Sequence, residues 1–204
     1  MKKSLFIFGM LLSGATLFTS CNKDLKDDVK DLKGRVNQVE SIFGTTSEAI
    51  TATTTFKDNN NNDQTITGTY RFKSSYSTQR LVDNGDGTYD ITIERFSDLN
   101  WDNGAWMEFT YNPTTKAITD KRGGHWWSNS DEYRDRARYE GSEDRAGLTI
   151  NITVDKLDVN TGDISVKFNA IGTEVYTNSI HYYDSPNQGK PMSTSFSFTG
   201  KLVK

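Results

Sequence analysis

Strict alternation of apolar and polar residues is the sequence feature that most constrains the fold of this chain. Clear examples begin at Ile91, Ile150, Ile164 and Phe196. Successive side chains of a strand point to opposite faces, so such segments bury one face and leave the other in water. Short strands of this kind, separated by turns, predict an all-β fold, either an antiparallel sandwich or a small barrel.

We predict nine strands, each rich in β-branched and aromatic residues and bounded by turn residues. They cover Ile50–Phe56, Thr65–Lys73, Arg80–Val82, Tyr89–Phe96, Ala105–Tyr111, Leu148–Lys156, Ile164–Ile171, Val175–Tyr182 and Ser193–Val203. These strands place the β-sandwich domain at residues 46–204. The polar stretch 128–147 lacks strand character, and Ser128 followed by Asp131 predicts a short helix over Asn129–Tyr139.

Two Asn- and Gly-rich segments, 83–87 and 160–163, predict hairpin turns because both residue types tolerate positive φ. The first also resembles a calcium-binding loop in its run of oxygen-bearing side chains. That alignment places Val82 at the first ligand position, where an oxygen is required. We therefore predict a turn there and no metal site.

Residues 21–45 follow a different period, with apolar residues spaced alternately by four and three. These residues are Leu25, Val29, Leu32, Val36, Val39 and Phe43. The spacing is that of a heptad seam. In a parallel coiled coil Asp28 would face Lys33, and Arg35 would face Glu40. Two interpretations remain open: a stalk that forms a parallel homodimer or trimer, or a single amphipathic helix that lies on the β-domain.

Residues 1–20 have the three parts of a signal peptide, and Cys21 follows them directly. Lys2 and Lys3 precede the uncharged stretch Leu5–Phe18. Its 14 residues are too few for a membrane span, which needs about 20. The chain has one cysteine, so an internal disulfide is excluded. We expect Cys21 to carry a lipid that attaches the chain to a membrane.

The segment Leu17–Cys21 resembles a bacterial lipobox, with Phe18 where the common pattern has Leu. The charged residues of 22–28, followed by a short heptad segment and a β-domain, are similar to the layout of Bacteroidetes surface lipoproteins. That resemblance implies a bacterial outer-membrane location. It leaves open whether the β-domain faces the cell surface or the periplasm.

Charge and composition argue against several classes of function. Removal of residues 1–20 takes away two lysines and no acids, which changes the net charge from −3 to −5. An acidic chain is a poor ligand for a phosphate backbone, so we expect no nucleic-acid partner. His125 and His181 are the two histidines, and no nucleophile, zinc or phosphate-loop motif is present. We therefore predict no cofactor and no enzymatic activity.

The adjacent residues Trp126 and Trp127 are the predicted contact site. They follow Gly123-Gly124-His125 and precede a polar run that contains Tyr133 and Arg134. Either one Trp fills the core while the other covers a loop, or the pair forms an aromatic platform with Tyr133 and Arg134 that contacts a ligand.

Three functional hypotheses follow from these observations. The first is an adhesin-like binding module for a glycan or an outer-membrane protein. The second is a structural envelope lipoprotein with no small-molecule ligand. The third is a glycan-active enzyme, with carboxylates drawn from Glu94, Asp98, Asp102 and Glu108. Exposed aromatic residues beside carboxylates favour the first or third hypothesis, whereas fully buried Trp side chains favour the second.

Overall fold

The computed structural model describes residues 49–58, 60–72, 77–97, 103–128, 136–179 and 188–204. Cys21, the signal peptide and the heptad seam lie outside these residues. The described chain forms ten strands and one short helix, α1 (Glu174–Ser179). The strands are β1 (Ile50–Lys57), β2 (Asp63–Tyr70), β3 (Thr78–Asp83), β4 (Tyr89–Phe96), β5 (Gly104–Tyr111), β6 (Ile118–Ser128), β7 (Arg136–Ser142), β8 (Leu148–Leu157), β9 (Asp163–Gly172) and β10 (Met192–Lys201).

The ten strands form two five-stranded antiparallel sheets. The first sheet has the order β2-β1-β10-β9-β8, and the second has the order β3-β4-β5-β6-β7. Side chains from their two inner faces share one apolar core. The prediction of an all-β sandwich is therefore confirmed.

The core follows from the alternation along each strand. Inward positions carry large apolar residues that are almost completely buried, including Ile91, Ile93, Met107, Phe109, Ile150, Val166, Phe168 and Phe198. The rings of Phe168 and Phe196 stack with centroids 4.5 Å apart. Burial of a side chain of this size stabilises the fold by roughly 1.5–3 kcal/mol, so the inner faces dominate stability.

The end of the chain crosses from the first sheet to the second. After β10, Val203 pairs in parallel with Arg80 of β3. The Leu81 amide donates to the Val203 carbonyl at 2.8 Å, and the Val203 amide donates to the Gln79 carbonyl at 2.8 Å. These two bonds cover the outer edge of β3.

Two strands of the second sheet were not among the predicted ones. β6 contains Gly123, Gly124 and a charged segment, all of which lower strand propensity. β7 begins at Arg136, where a short helix over Asn129–Tyr139 was expected. That helix prediction is wrong from Arg136 on, because pairing with β6 decides the local structure, and residues 129–135 lie outside the described part.

The prediction of a strand over Val175–Tyr182 is also wrong for the residues of that segment that the structure describes. Residues 174–179 form α1, and residues 180–187 lie outside the described part. Tyr176 and Thr177 are adjacent and both buried, which a strand with one buried face does not allow. The Thr177 amide donates to the Thr173 carbonyl at 3.1 Å, which closes the first helical turn.

Candidate functional site

Trp126 and Trp127 lie side by side on β6 and point to opposite faces of the second sheet. Trp127 is buried in the core, where its ring centroid lies 4.9 Å from that of His125 and 6.1 Å from that of Phe56. Trp126 is on the outer face and partly exposed. One member of the predicted pair is therefore a core residue, and the other is accessible for contact.

Trp126 belongs to an aromatic group on the outer face of the second sheet. Its ring makes an edge contact with Phe96, with centroids 5.5 Å apart. Between them lies Gly104, whose cross-strand partners are Phe96 and Trp126. A Cβ on Gly104 would lie 2.5 Å from the Trp126 ring. The missing side chain thus allows Trp126 to cross the central strand and meet Phe96.

Trp106 extends this group along β5. It faces Glu94 on one neighbouring strand and Gly124 on the other. Trp106 and Trp126 are diagonal neighbours on the same face, a separation that aromatic side chains can bridge. We name Phe96, Trp106 and Trp126 the aromatic platform, and all three are partly exposed.

Charged side chains lie next to the aromatic platform on the same face. Glu108 on β5 faces Arg122 on β6. Glu94 and Glu108 are diagonal neighbours on β4 and β5. The outer face therefore combines apolar rings with hydrogen-bond acceptors and donors within one cluster.

His125 lies at the centre of a polar network inside the sandwich. It is 0% exposed, and its Nδ1 lies 2.8 Å from the Thr54 hydroxyl while its Nε2 lies 2.6 Å from the Tyr70 hydroxyl. Thr54 continues the network to the Thr194 hydroxyl at 2.6 Å. A neutral imidazole offers one donor and one acceptor, so both ring nitrogens are satisfied. This network joins β1, β2 and β10 of one sheet to β6 of the other.

Burial determines how this network titrates. It lowers the pKa of His125 from 6.5 to about 4 because a charged imidazolium is poorly solvated there. Burial also raises the pKa of the Tyr70 hydroxyl above its ordinary value. Both groups are neutral at physiological pH. The network is therefore a structural element of the core, and an imidazole so deep in the core is inaccessible to a bulky ligand.

Arg95 is a second buried polar residue that sequence reasoning did not single out. It is 1% exposed and donates to the carbonyls of Thr78 at 3.1 Å and Glu94 at 2.9 Å. It also donates to the Gln79 side chain. Its guanidinium lies 4.9 Å from the centre of the Phe198 ring. The alternation of Ile91, Ile93 and Arg95 already placed this residue inward, although an arginine is seldom buried.

A groove of about 530 Å³ opens at one edge of the sandwich, beside β3 and the turn between β8 and β9. Arg80, Asp83, Tyr89 and Lys204 line it together with Val82 and Asn160. It offers one aromatic ring and charges of both signs. The aromatic platform groups three rings on one face and is the stronger candidate for a ligand with apolar C–H faces.

The described residues bring together only part of the predicted site. Tyr133 and Arg134 lie outside them, as do Asp98 and Asp102. Of the four candidate carboxylates, Glu94 and Glu108 share the outer face with Trp126. Phe96 and Trp106 were not predicted as site residues, because their proximity to Trp126 depends on the register of three strands.

The Asn- and Gly-rich segments form the predicted hairpin turns. Gly85 and Gly87 adopt positive φ between β3 and β4, and Gly162 does so between β8 and β9. The Thr88 amide and hydroxyl donate to the Asp86 carboxylate, which lowers the pKa of that side chain. In the described part of the chain, no group of three or more His, Cys, Asp or Glu side chains could hold a metal ion.

Comparison with known proteins gives no relative: the chain matches no protein-family model, no curated protein and no solved structure. A search of the described residues for membrane-spanning helices finds none that is long and apolar enough.

Proposed function

We propose that this chain is a lipid-anchored lipoprotein of the bacterial outer membrane whose β-sandwich binds a glycan on the aromatic platform. The observation that carries the binding function is the cluster of Phe96, Trp106 and Trp126 beside Glu94 and Glu108. The proposed anchor at Cys21 is supported by the lipobox-like sequence that precedes it.

Sugar rings match this combination of groups. Their C–H faces pack on aromatic rings, while their hydroxyls exchange hydrogen bonds with carboxylates and guanidinium groups. The rings lie on neighbouring strands, and such strands are about 4.8 Å apart. Glu108 is two residues from Trp106 on β5, and Arg122 is four residues from Trp126 on β6. A chain of sugar units would therefore lie across β4, β5 and β6.

Binding can be tested on the chain from residue 21 with Cys21→Ser, which removes the proposed lipid site and leaves the protein in solution. An array of neutral and acidic bacterial, plant and host glycans would identify the ligand class. Trp126→Ala and Trp106→Ala should each weaken binding about 30-fold, the loss expected for an aromatic hot spot.

Thr53→Ala is the matched control, because Thr53 lies on the outer face of the other sheet. It should bind as the parent chain does. Unchanged binding in both Trp variants, with their melting temperatures preserved, would refute the aromatic platform as the glycan site.

Membrane attachment needs a separate experiment. In cells, Cys21→Ser should release the protein from the membrane fraction or leave its signal peptide uncleaved. Processing and fractionation identical to those of the unmodified chain would refute lipid attachment at Cys21 without affecting the glycan proposal.

A further inference from the structure

Hydrogen bonds join the three segments that form the groove beside β3. These segments are the end of β3, the turn between β8 and β9, and the residues that follow β10. The pairing of β3 with Val203 joins the first segment to the third. The Leu202 amide donates to the Gly162 carbonyl at 2.8 Å, and the Lys204 ammonium donates to the Asn160 carbonyl at 2.7 Å. The groove is therefore largely formed before a ligand enters, as small-molecule sites usually are.

The charged side chains of the groove are not neutralised within the described part of the chain. Arg80, Asp83 and Lys204 line the groove, and none of them forms an ion pair with another described residue. One oxygen of the Asp83 carboxylate accepts a hydrogen bond from the Gly85 amide at 2.8 Å, which fixes the direction of that carboxylate. The groove thus offers charges of both signs to a ligand.

The positions of these residues along β3 separate the two signs of charge. Arg80 and Asp83 are three residues apart, which places their Cα atoms about 10 Å from each other in a strand. Lys204 directly follows Val203, which pairs with Arg80. The backbone positions of both cations therefore lie toward one end of the groove, and that of Asp83 lies toward the other.

Aliphatic side chains supply the apolar part of the groove. Val82 lies between Arg80 and Asp83 on β3, and it is one of three large apolar side chains that are exposed among the described residues. Val159 of the turn between β8 and β9 is partly buried and also lines the groove. Tyr89 contributes the one ring, and it packs against the core. This lining suits the hydrocarbon side chain of a ligand better than it suits the face of a sugar ring.

We propose that the groove binds a zwitterion with an aliphatic side chain, as found in a free amino acid or a dipeptide. The carboxylate of the ligand contacts Arg80 and Lys204, its ammonium contacts Asp83, and its hydrocarbon part covers Val82 and Val159. The volume of about 530 Å³ lies in the usual range for small-molecule sites. None of the platform residues lines the groove, so this proposal does not depend on the proposed glycan binding.

Titration calorimetry on the chain from residue 21 with Cys21→Ser tests the ligand class, with leucine and leucyl-leucine as probes. Both probes are also prepared with the ammonium acetylated or the carboxylate amidated. The zwitterion that binds better identifies the amino acid or the dipeptide as the ligand. Each of its blocked forms should bind about tenfold more weakly, because it loses one charge-assisted contact. Equal affinity of free and blocked forms, or no binding of either zwitterion in the millimolar range, would overturn the proposal.

Two variants assign the ends of the ligand. Asp83→Asn keeps an acceptor for the Gly85 amide and should weaken the free zwitterion about tenfold, while the affinity of the acetylated probe stays unchanged. Arg80→Gln should do the same for the free zwitterion and leave the amidated probe unchanged.

Lys201→Gln is the matched control, because Lys201 is exposed and does not line the groove. It should bind the zwitterion as the parent chain does, and so should Trp126→Ala, which impairs only the proposed glycan site. An equal loss of affinity in Lys201→Gln and Arg80→Gln would reduce the effect to general charge attraction and overturn the proposal. Tighter binding of galacturonate, which has a carboxylate and no ammonium, would overturn it in favour of an acidic sugar.

Discussion

The two outer faces of the sandwich differ sharply, although the inner faces are built alike. One row across the first sheet reads Thr67, Thr53, Ser195, Asn169 and Asn151. The corresponding face of the second sheet carries the aromatic platform with adjacent charges. Burial restricts the inner faces to residues that pack, whereas outer faces can vary without loss of the fold. The contrast therefore locates the proposed binding function on the second sheet.

The largest expected effect is a difference in stability between variants of the inner and the outer Trp residue of β6. Trp127→Ala should lower the free energy of unfolding by about 3–5 kcal/mol, because it leaves a cavity beside His125 and Phe56. Trp126→Ala should cost about 1 kcal/mol, since its ring is partly exposed. Urea denaturation of both variants measures this difference, and equal losses would contradict the assignment of the two residues to opposite faces.

A smaller effect concerns His125, where the two inner faces meet. Its pKa is about 4 in the folded state and 6.5 in the unfolded state, so the unfolded chain binds the proton first as pH falls. Stability from this group is complete above pH 6.5 and is lost between that value and about 4. Between pH 7 and pH 5 we expect a loss of about 2 kcal/mol.

The control for this pH effect is His125→Asn, which keeps a polar side chain and removes the titration. Urea denaturation at both pH values should show that the loss is about 2 kcal/mol smaller in the variant. An equal pH dependence in the two proteins would mean that His125 titrates normally in the folded state.

The smallest expected effects lie on the outer face of the first sheet. Thr53→Ala and Ser195→Ala should each change the free energy of unfolding by less than about 0.5 kcal/mol, as is usual for surface positions. Neither should alter glycan binding. A loss of binding in either variant, measured by titration calorimetry, would show that the hydroxyl-rich face contributes to the site.

Sequence periodicity predicted the first sheet better than the second. Its strands β8, β9 and β10 alternate cleanly, and the inward residues of each could be assigned directly. β6 could not be recognised from the sequence, because its glycines make a strand look improbable. They are needed where neighbouring residues of the folded chain leave no room for a side chain. A Cβ on Gly123 would lie 2.4 Å from the Phe168 ring and 2.7 Å from the Trp106 carbonyl oxygen.

The candidate site was partly predictable for the same reason. If residues 126 and 127 belong to a strand, at most one of Trp126 and Trp127 can be buried, and the structure shows one buried and one partly exposed. Phe96 and Trp106 belong to the aromatic platform because the cross-strand register and the small Gly104 bring them next to Trp126. Periodicity within one strand does not reveal such a register. The alternation along β4 places Arg95 on the inner face together with Ile91 and Ile93. Arginine is seldom buried, however, so its charge suggested an exposed side chain.

The most direct test of the binding face is a glycan titration followed by the indole N–H resonances of the four Trp residues. Single Trp→Phe variants would assign each signal. Our account predicts that the Trp106 and Trp126 signals shift with ligand concentration while the Trp127 signal does not move. Shifts at the amides of Thr53 and Thr67, without shifts at Trp106 and Trp126, would place the site on the other sheet and contradict the account.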